Sequence, residues 1–184
     1  MLLDTPLCDF GWKAPEFTLQ DSDGETYRMS EHLGDKGLLI AFICNHCPYV
    51  KRITKQLAED TKQLMDEGIN VLAIMSNDYK EYEEDSPVNM KKFSQEHNFS
   101  FPYLIDEDQL VGKTYGAVCT PDFFGFNAQG ELQYRGRLDN IGMGDDDVDR
   151  SAELLEAMLL IAQTQEGPKE QIPSMGCSIK WRED

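Results

Sequence analysis

Four consecutive residues carry the side chains best suited to chemistry in this chain, Cys44-Asn45-His46-Cys47. Two cysteines separated by two residues can close a disulfide within one turn of chain, and the thiolate is the form that attacks another disulfide. We therefore expect thiol–disulfide exchange, in which Cys44 attacks a substrate disulfide and Cys47 resolves the mixed disulfide. His46 would favour the Cys44 thiolate through its charge or a hydrogen bond.

Two cysteines at this spacing could also bind a metal ion. Structural zinc binds four ligands, and the sequence has no second C-x-x-C and no H-x-x-x-H pattern. We therefore expect no resident metal and no other cofactor. Copper(I) prefers soft thiolates, so a copper-handling protein with Cys44, His46 and Cys47 as ligands is one alternative function. For His46 alone, the alternative is an exposed imidazole without a role.

The elements that position this motif can be predicted from hydrophobic spacing. Residues 38–43 form a continuous apolar run, which is typical of a strand buried on both faces. Apolar residues then recur at helical spacing over residues 50–64, and residues 69–75 predict a second buried strand. This β–α–β order makes the two strands parallel. It also places the cysteines at the positive end of a helix, where an anion is stabilised.

The remaining elements extend this unit. Residues 17–29 predict a hairpin around Asp23-Gly24, and Ser86-Pro87 opens a helix that runs to about residue 97. A strand over 101–105, a short helix over 109–115 and a hairpin over 122–135 follow. Three aspartates, 145–147, precede a last helix, where they suit the positive end of its dipole. Its expected apolar stripe is Val148, Ala152, Leu155, Leu159 and Ala162.

This order predicts an α/β thioredoxin-like fold, with a central mixed β-sheet flanked by helices, an N-terminal β-hairpin and an inserted helix. The length of 184 residues suits a single domain over 1–184. Within it, residues from about 168 to 184 are expected to form an extended, irregular C-terminal tail.

Cys119-Thr120-Pro121 lies just before the second hairpin. In this fold a cis-proline lies there, beside the C-x-x-C motif, and cis bonds occur almost only before proline. We expect Pro121 to be that residue and the backbone of Thr120 to pair with a substrate peptide; the alternative is an ordinary turn proline. Cys119 is either a small buried hydrophobe or an additional redox thiol. Cys177 is either a packed thiol or, if the tail folds back, a resolving thiol or ligand.

Four separated segments, residues 42–51, 119–124, 134–139 and 173–181, together resemble the peroxiredoxin-like (AhpC/TSA-type) branch of the thioredoxin-like superfamily. The resemblance implies the fold and a redox, antioxidant role, and it makes a peroxidase the second alternative function. Peroxiredoxins carry P-x-x-x-[ST]-x-x-C. With Cys47 as the peroxidatic residue, Cys44 stands in place of the hydroxyl residue and Ile40 in place of the proline. Gln133 stands where an arginine is frequent, so these departures favour exchange.

The net charge of the chain limits the classes of partner that it can bind. Acidic residues number 34 against 17 basic ones, and the formal charge of −17 argues against nucleic acid and membrane partners. The first ten residues have no signal-peptide pattern, which makes the cytoplasm the expected location. The expected partners are a protein or small-molecule disulfide and an external thiol reductant. A monomer and a homodimer fit the sequence equally well.

Overall fold

The protein is described by a computed structural model over residues 1–145 and 148–183. The strands are β1 (Leu2–Asp4), β2 (Thr18–Asp21), β3 (Thr26–Arg28), β4 (Leu38–Phe42), β5 (Asn70–Met75), β6 (Tyr103–Ile105), β7 (Cys119–Thr120), β8 (Asp122–Phe126), β9 (Leu132–Tyr134) and β10 (Met175–Ser178). The helices are α1 (Met29–His32), α2 (Pro48–Asp66), α3 (Pro87–Glu96), α4 (Leu110–Tyr115) and α5 (Glu153–Thr164), with a 3-10 turn at Glu83–Asp85.

The central sheet has the strand order β3-β2-β6-β5-β4-β8-β9. Strand β5 pairs in parallel with β4 and with β6, and the other pairs in this sheet are antiparallel. The predicted mixed sheet and N-terminal hairpin are thereby confirmed. All five residues of β4 are buried, because this strand lies between two others and is covered on both faces.

Alternate residues of β4 supply two separate cores, as the pleat of a strand requires. Leu39 and Ala41 belong to the cluster that contains the buried faces of α2 and α5. Leu38 and Ile40 belong to the opposite cluster, with Tyr115 of α4. Helix α2 and β4 are thus fixed to each other by packing, and the segment between them is held at both ends.

The apolar face predicted for the last helix is wrong. Helix α5 begins only at Glu153, and Val148 is 53% exposed. The buried face consists of Leu154, Ala157, Met158 and Ile161, whereas the predicted positions Leu155, Leu159 and Ala162 are only partly buried. The segment is apolar on most sides, so two different sets of its apolar residues have helical spacing. Packing against the rest of the protein determines which set is buried. Asp146 and Asp147 lie outside the described residues.

The C-terminal segment is not irregular throughout. Strand β10 pairs antiparallel with β1 and with β7, and these strands form a separate three-stranded sheet. Gly176 allows this pairing, because a Cβ there would collide with the carbonyl oxygen of Thr120. The strand is only four residues long and its partners are distant in the chain, so local periodicity could not predict it.

Candidate active site

Cys44 lies just after β4, and Cys47 is the N-cap residue of α2. Pro48 occupies the first turn of the helix, where its missing N–H is not needed. Both cysteines are free thiols with almost no exposed surface, 1% for Cys44 and 0% for Cys47. The redox motif therefore starts α2 as the sequence predicted, but it is covered in this conformation.

The two cysteines shift each other's pKa and contact the same residue, Thr120. The thiol of Cys44 donates to the sulfur of Cys47, and this hydrogen bond raises the pKa of Cys44 well above its usual range. It is also the largest cause that lowers the pKa of Cys47, to about 4. The hydroxyl of Thr120 lies 3.3 Å from the Cys44 sulfur, and Cys47, when protonated, donates to the Thr120 carbonyl oxygen at 3.2 Å.

The negative charge of the pair is thus favoured on Cys47, whereas the sequence led us to expect it on Cys44. The backbone N–H of Val50 and hydrogen bonds from Cys177 add to the stabilisation of the Cys47 thiolate. Besides the hydrogen bond from Cys44, the N-cap position contributes, because Cys47 and not Cys44, three residues earlier, receives an N–H group at the start of the helix.

The peptide bond between Thr120 and Pro121 is cis, as predicted, and Pro121 follows directly after the residue that contacts both sulfurs. The backbone of Thr120, however, is already paired with β10, opposite Cys177. In this conformation the chain itself therefore covers the edge that was expected to take a substrate peptide.

His46 is held by a carboxylate that sequence reasoning missed. Its Nδ1 lies 2.6 Å from Oδ2 of Asp85, whose side chain is fully buried. The backbone N–H of Asn45 and the side-chain amide of Asn77 also donate to Asp85, at 2.7 and 2.9 Å. The hydrogen bond to Asp85 raises the pKa of His46. Burial opposes the ionisation of Asp85, but hydrogen bonds, led by that of His46, outweigh it and lower the pKa of Asp85.

These contacts assign His46 a defined orientation. Its ring stacks on Tyr82, with the centroids 5.3 Å apart and an interplanar angle of 10°. His46 is therefore a partly buried, hydrogen-bonded side chain and not a freely exposed imidazole. The sequence offers no signal for Asp85, because it ends an acidic stretch, residues 81–85, in which the other acidic residues are exposed.

A metal would find three donors here. One ligand atom each from Cys44, His46 and Asp85 lie within 4.8 Å of one another. This set differs from the Cys44, His46 and Cys47 set considered from the sequence, and it replaces a thiolate by a hard carboxylate that copper(I) does not prefer. Three donors are also fewer than the four of structural zinc sites.

The other two cysteines of interest have different surroundings. Cys119 is fully buried, and burial raises the pKa of its thiol, which donates to the carbonyl oxygen of Pro121. Cys177 is half-buried and interacts with Cys47; burial and this hydrogen bond raise the pKa of Cys177 to about 11. Cys119 is thus enclosed by packing, whereas Cys177 lies against the cluster that contains Cys44 and Cys47.

A mostly apolar cleft of about 470 Å³ adjoins Pro121. It lies between the start of α2 and the C-terminal segment, and its lining includes Tyr49, Ile53, Leu138, Met143, Ile172 and Met175. The cleft is lined by the cis-proline, so it offers an apolar surface next to Thr120, the residue that contacts both sulfurs.

Both arginines near the second hairpin are paired with carboxylates. The guanidinium of Arg135 donates to Asp122 at 2.9 and 3.2 Å and lies 4.3 Å over the ring of Phe124. Arg137 forms a two-bond pair with Glu153 at 2.7 and 2.8 Å. Each guanidinium is thus committed to a partner that fixes its orientation.

Comparisons with known proteins agree with this geometry. The family model described as "AhpC/TSA family" matches residues 10–135. Thiol-disulfide oxidoreductase ResA of Geobacillus thermodenitrificans is 26% identical over 123 residues, which cover 67% of this chain and 66% of that protein. Peroxiredoxin Bcp of Escherichia coli K12 is 26% identical over 112 residues, 61% of this chain and 67% of that protein.

Solved structures resemble the whole chain. An uncharacterized conserved protein from Geobacillus kaustophilus is 38% identical with a TM-score of 0.94, covering 100% of this chain and 98% of that one. A hypothetical protein from Sinorhizobium meliloti 1021 is 33% identical with a TM-score of 0.91, covering 97% and 98%. Among the described residues, no helix is long and apolar enough to cross a membrane. The fold is thioredoxin-like, and the chain belongs to the AhpC/TSA family.

Proposed function

We propose that this protein is a thiol–disulfide oxidoreductase that cycles Cys44 and Cys47 between dithiol and disulfide. The observation that carries the proposal is the pair of free, buried thiols that both contact Thr120, the residue that precedes the cis-proline. Its substrates are protein or small-molecule disulfides, and an external thiol reductant returns the enzyme to the dithiol form. We place it in the cytoplasm, where thiol pools supply such a reductant.

The proposed reaction begins with the proton on the Cys44 thiol. Transfer of that proton to Cys47 leaves Cys44 as the thiolate, which attacks one sulfur of the substrate and releases the other as a thiolate. Cys47 then loses the proton and attacks the sulfur of Cys44. The second substrate thiol leaves. The substrate disulfide has then gained two electrons and become two thiols, and the enzyme has lost two electrons in forming the Cys44–Cys47 disulfide.

His46 supports this cycle electrostatically. Its hydrogen bond to Asp85 raises its pKa and so favours the imidazolium, and the charge of Cys47 acts in the same direction. A cation beside the motif stabilises the dithiol form, because only that form carries a thiolate. We therefore expect a redox potential above the roughly −270 mV of thioredoxin.

Substrate access requires a movement of the C-terminal strand. Both sulfurs are buried, and β10 is paired with the backbone of Thr120. A substrate peptide that pairs with Thr120 displaces β10, and its apolar side chains then lie in the cleft beside Pro121.

The peroxidase alternative has weaker support. The relatives include peroxiredoxin Bcp, but Cys44 replaces the hydroxyl that would orient a peroxide ahead of Cys47. Arg135 and Arg137 are also each paired with a carboxylate. We expect hydrogen peroxide to be consumed no faster than by an equal concentration of free thiol.

Reduction of insulin by dithiothreitol tests the proposal. Cys44→Ser should lower the rate to that of dithiothreitol alone, and Cys8→Ser is the control because Cys8 lies outside the motif. In parallel, the wild-type protein is equilibrated in glutathione buffers, alkylated and mapped by mass spectrometry. An unchanged rate in Cys44→Ser, or no reversible disulfide at any buffer composition, would overturn the proposed function.

A further inference from the structure

The C-terminal strand brings a third cysteine to the proposed exchange site. In the register of β10 against β7, Cys177 lies opposite Thr120 and Ser178 lies opposite Cys119. Thr120 is the residue whose hydroxyl and carbonyl contact the two sulfurs of the motif. Cys177 therefore occupies the position that a cysteine of a paired substrate peptide would take.

The contact between Cys177 and the motif is specific for one sulfur. Cys177 packs against the core cluster that contains Cys44 and Cys47, and its side chain and its backbone both lower the pKa of Cys47. The interactions of Cys44 are instead with Cys47, Thr120 and Asp85. A new bond to Cys177 would thus form at Cys47.

The strand is anchored on both sides of Cys177, so this placement is fixed by the fold. The hydroxyl of Ser174 donates to the carbonyl oxygen of Pro121 at 2.8 Å. The backbone N–H of Ser178 donates to Met1 at 2.7 Å, and that of Lys180 donates to the side chain of Asn77 at 2.8 Å. Asn77 also donates to Asp85, which links the strand to the carboxylate that orients His46.

We infer that Cys177 is a third exchange thiol, which attacks Cys47 in the oxidised enzyme and forms a Cys47–Cys177 disulfide. The inference rests on the proposed function, because the Cys44–Cys47 disulfide is its starting point. Cys177 loses its proton and its sulfur attacks Sγ of Cys47. The bond between Cys44 and Cys47 breaks, and its electron pair leaves on Cys44 as a thiolate. One disulfide replaces another, so no oxidant or reductant is consumed.

The exchange has a direct consequence for turnover. Cys44 becomes a nucleophilic thiolate again. The disulfide gained from the substrate is meanwhile kept in the enzyme, between Cys47 and Cys177. The external thiol then reduces the Cys47–Cys177 disulfide. Because Cys177 is tethered beside Cys47, its effective concentration is far above that of a free thiol.

The test maps disulfides by mass spectrometry after oxidation with glutathione disulfide. The wild-type protein should yield both Cys44–Cys47 and Cys47–Cys177 peptides, with Cys44 alkylated in the second population. Cys44→Ser should yield an internal Cys47–Cys177 disulfide. Adding Cys177→Ser to that variant should raise the glutathione adduct on Cys47 by at least about tenfold, because the tethered thiol that displaces glutathione is gone.

Cys8→Ser is the matched control. Cys8 is half-buried like Cys177, and the pKa of each thiol is raised to about 11, but Cys8 interacts with Arg135 and Gln171. Its removal should leave the disulfide map unchanged. A Cys44–Cys47 disulfide without any Cys47–Cys177 peptide, or a Cys44→Ser protein that does not close the second disulfide, would overturn the inference and leave the proposed function standing. Absence of every disulfide would overturn the proposed function itself.

Discussion

Nδ1 of His46 lies 2.6 Å from the carboxylate of Asp85, a buried residue 39 positions further along the chain. The backbone N–H groups of Asn45 and His46 donate to the same carboxylate. One side chain from the 3-10 turn thus fixes both the imidazole and the backbone between the two cysteines.

Asp85→Asn should lower the pKa of His46, because the hydrogen bond that raises it most is lost. The imidazole titration followed by NMR measures this change directly. We also expect a loss of about 1.5–3 kcal/mol in the free energy of unfolding, the usual contribution of a hydrogen bond to a charged group. Glu83→Gln, in the same turn but exposed, is the control. An unaltered titration of His46 in Asp85→Asn would contradict the assignment.

The ion pair should also make stability depend on pH. The pKa of His46 is raised on folding, so its contribution is fully present below its usual value of about 6.5 and is lost as pH rises through the folded pKa. The pKa of Asp85 is lowered, so its contribution is present above about 3.8 and is lost as pH falls through the folded pKa. Urea unfolding should show that His46→Gln destabilises the protein more at about pH 5 than at about pH 9. Equal differences at the two pH values would refute this coupling.

Gly176→Ala should expose the two sulfurs, because a Cβ at this position would collide with the carbonyl oxygen of Thr120 and push β10 away. A local destabilisation of 1–2 kcal/mol corresponds to about a 5- to 30-fold increase in the open population. The rate at which Cys44 is alkylated in the native protein measures that increase. Gly34→Ala is the matched control, since a Cβ there would meet only a side-chain atom at 3.4 Å. A rate that stays at the wild-type value would show that β10 does not limit access.

Cys177→Ala should raise the pKa of Cys47 above about 4, because the thiol of Cys177 is one of the donors that lower it and alanine offers none. The pH profile of Cys47 alkylation, followed by peptide mapping, reports this shift. The lowered pKa of Cys47 also makes the stability of the reduced protein depend on pH. A lowered thiol pKa stabilises the reduced protein above the usual value of about 9, and the stabilisation is lost as pH falls through about 4. Cys8→Ser should leave the profile in place.

Arg135→Met should destabilise the protein by about 3–5 kcal/mol, because it leaves the buried carboxylate of Asp122 without its partner. Urea unfolding of reduced protein gives the value. Lys62→Met removes an exposed ion pair with Asp66 and should cost no more than about 0.5 kcal/mol. Similar losses for the two variants would mean that the Arg135–Asp122 pair is not a buried structural contact.

The sequence by itself determined the features that depend on neighbouring residues. The apolar run before Cys44 and the helical spacing after Cys47 predict the strand and helix that flank the motif, and both are present as β4 and α2. Thr120-Pro121 is recognisable because a cis bond needs a proline, and the order of elements supplies its place in the fold.

Only the tertiary structure decided which distant groups meet at the motif. Asp85 is one acid among several in its stretch until folding buries it against His46, and Cys177 lies in a short glycine-containing strand whose partners β1 and β7 are far away in the chain. The buried face of α5 was likewise chosen by packing, because its sequence is apolar on several sides. Hydrogen bonds and strand pairs between remote segments leave no periodic signal in the sequence, so the charge on Cys47 and the covering of the site appear only when the chain is folded.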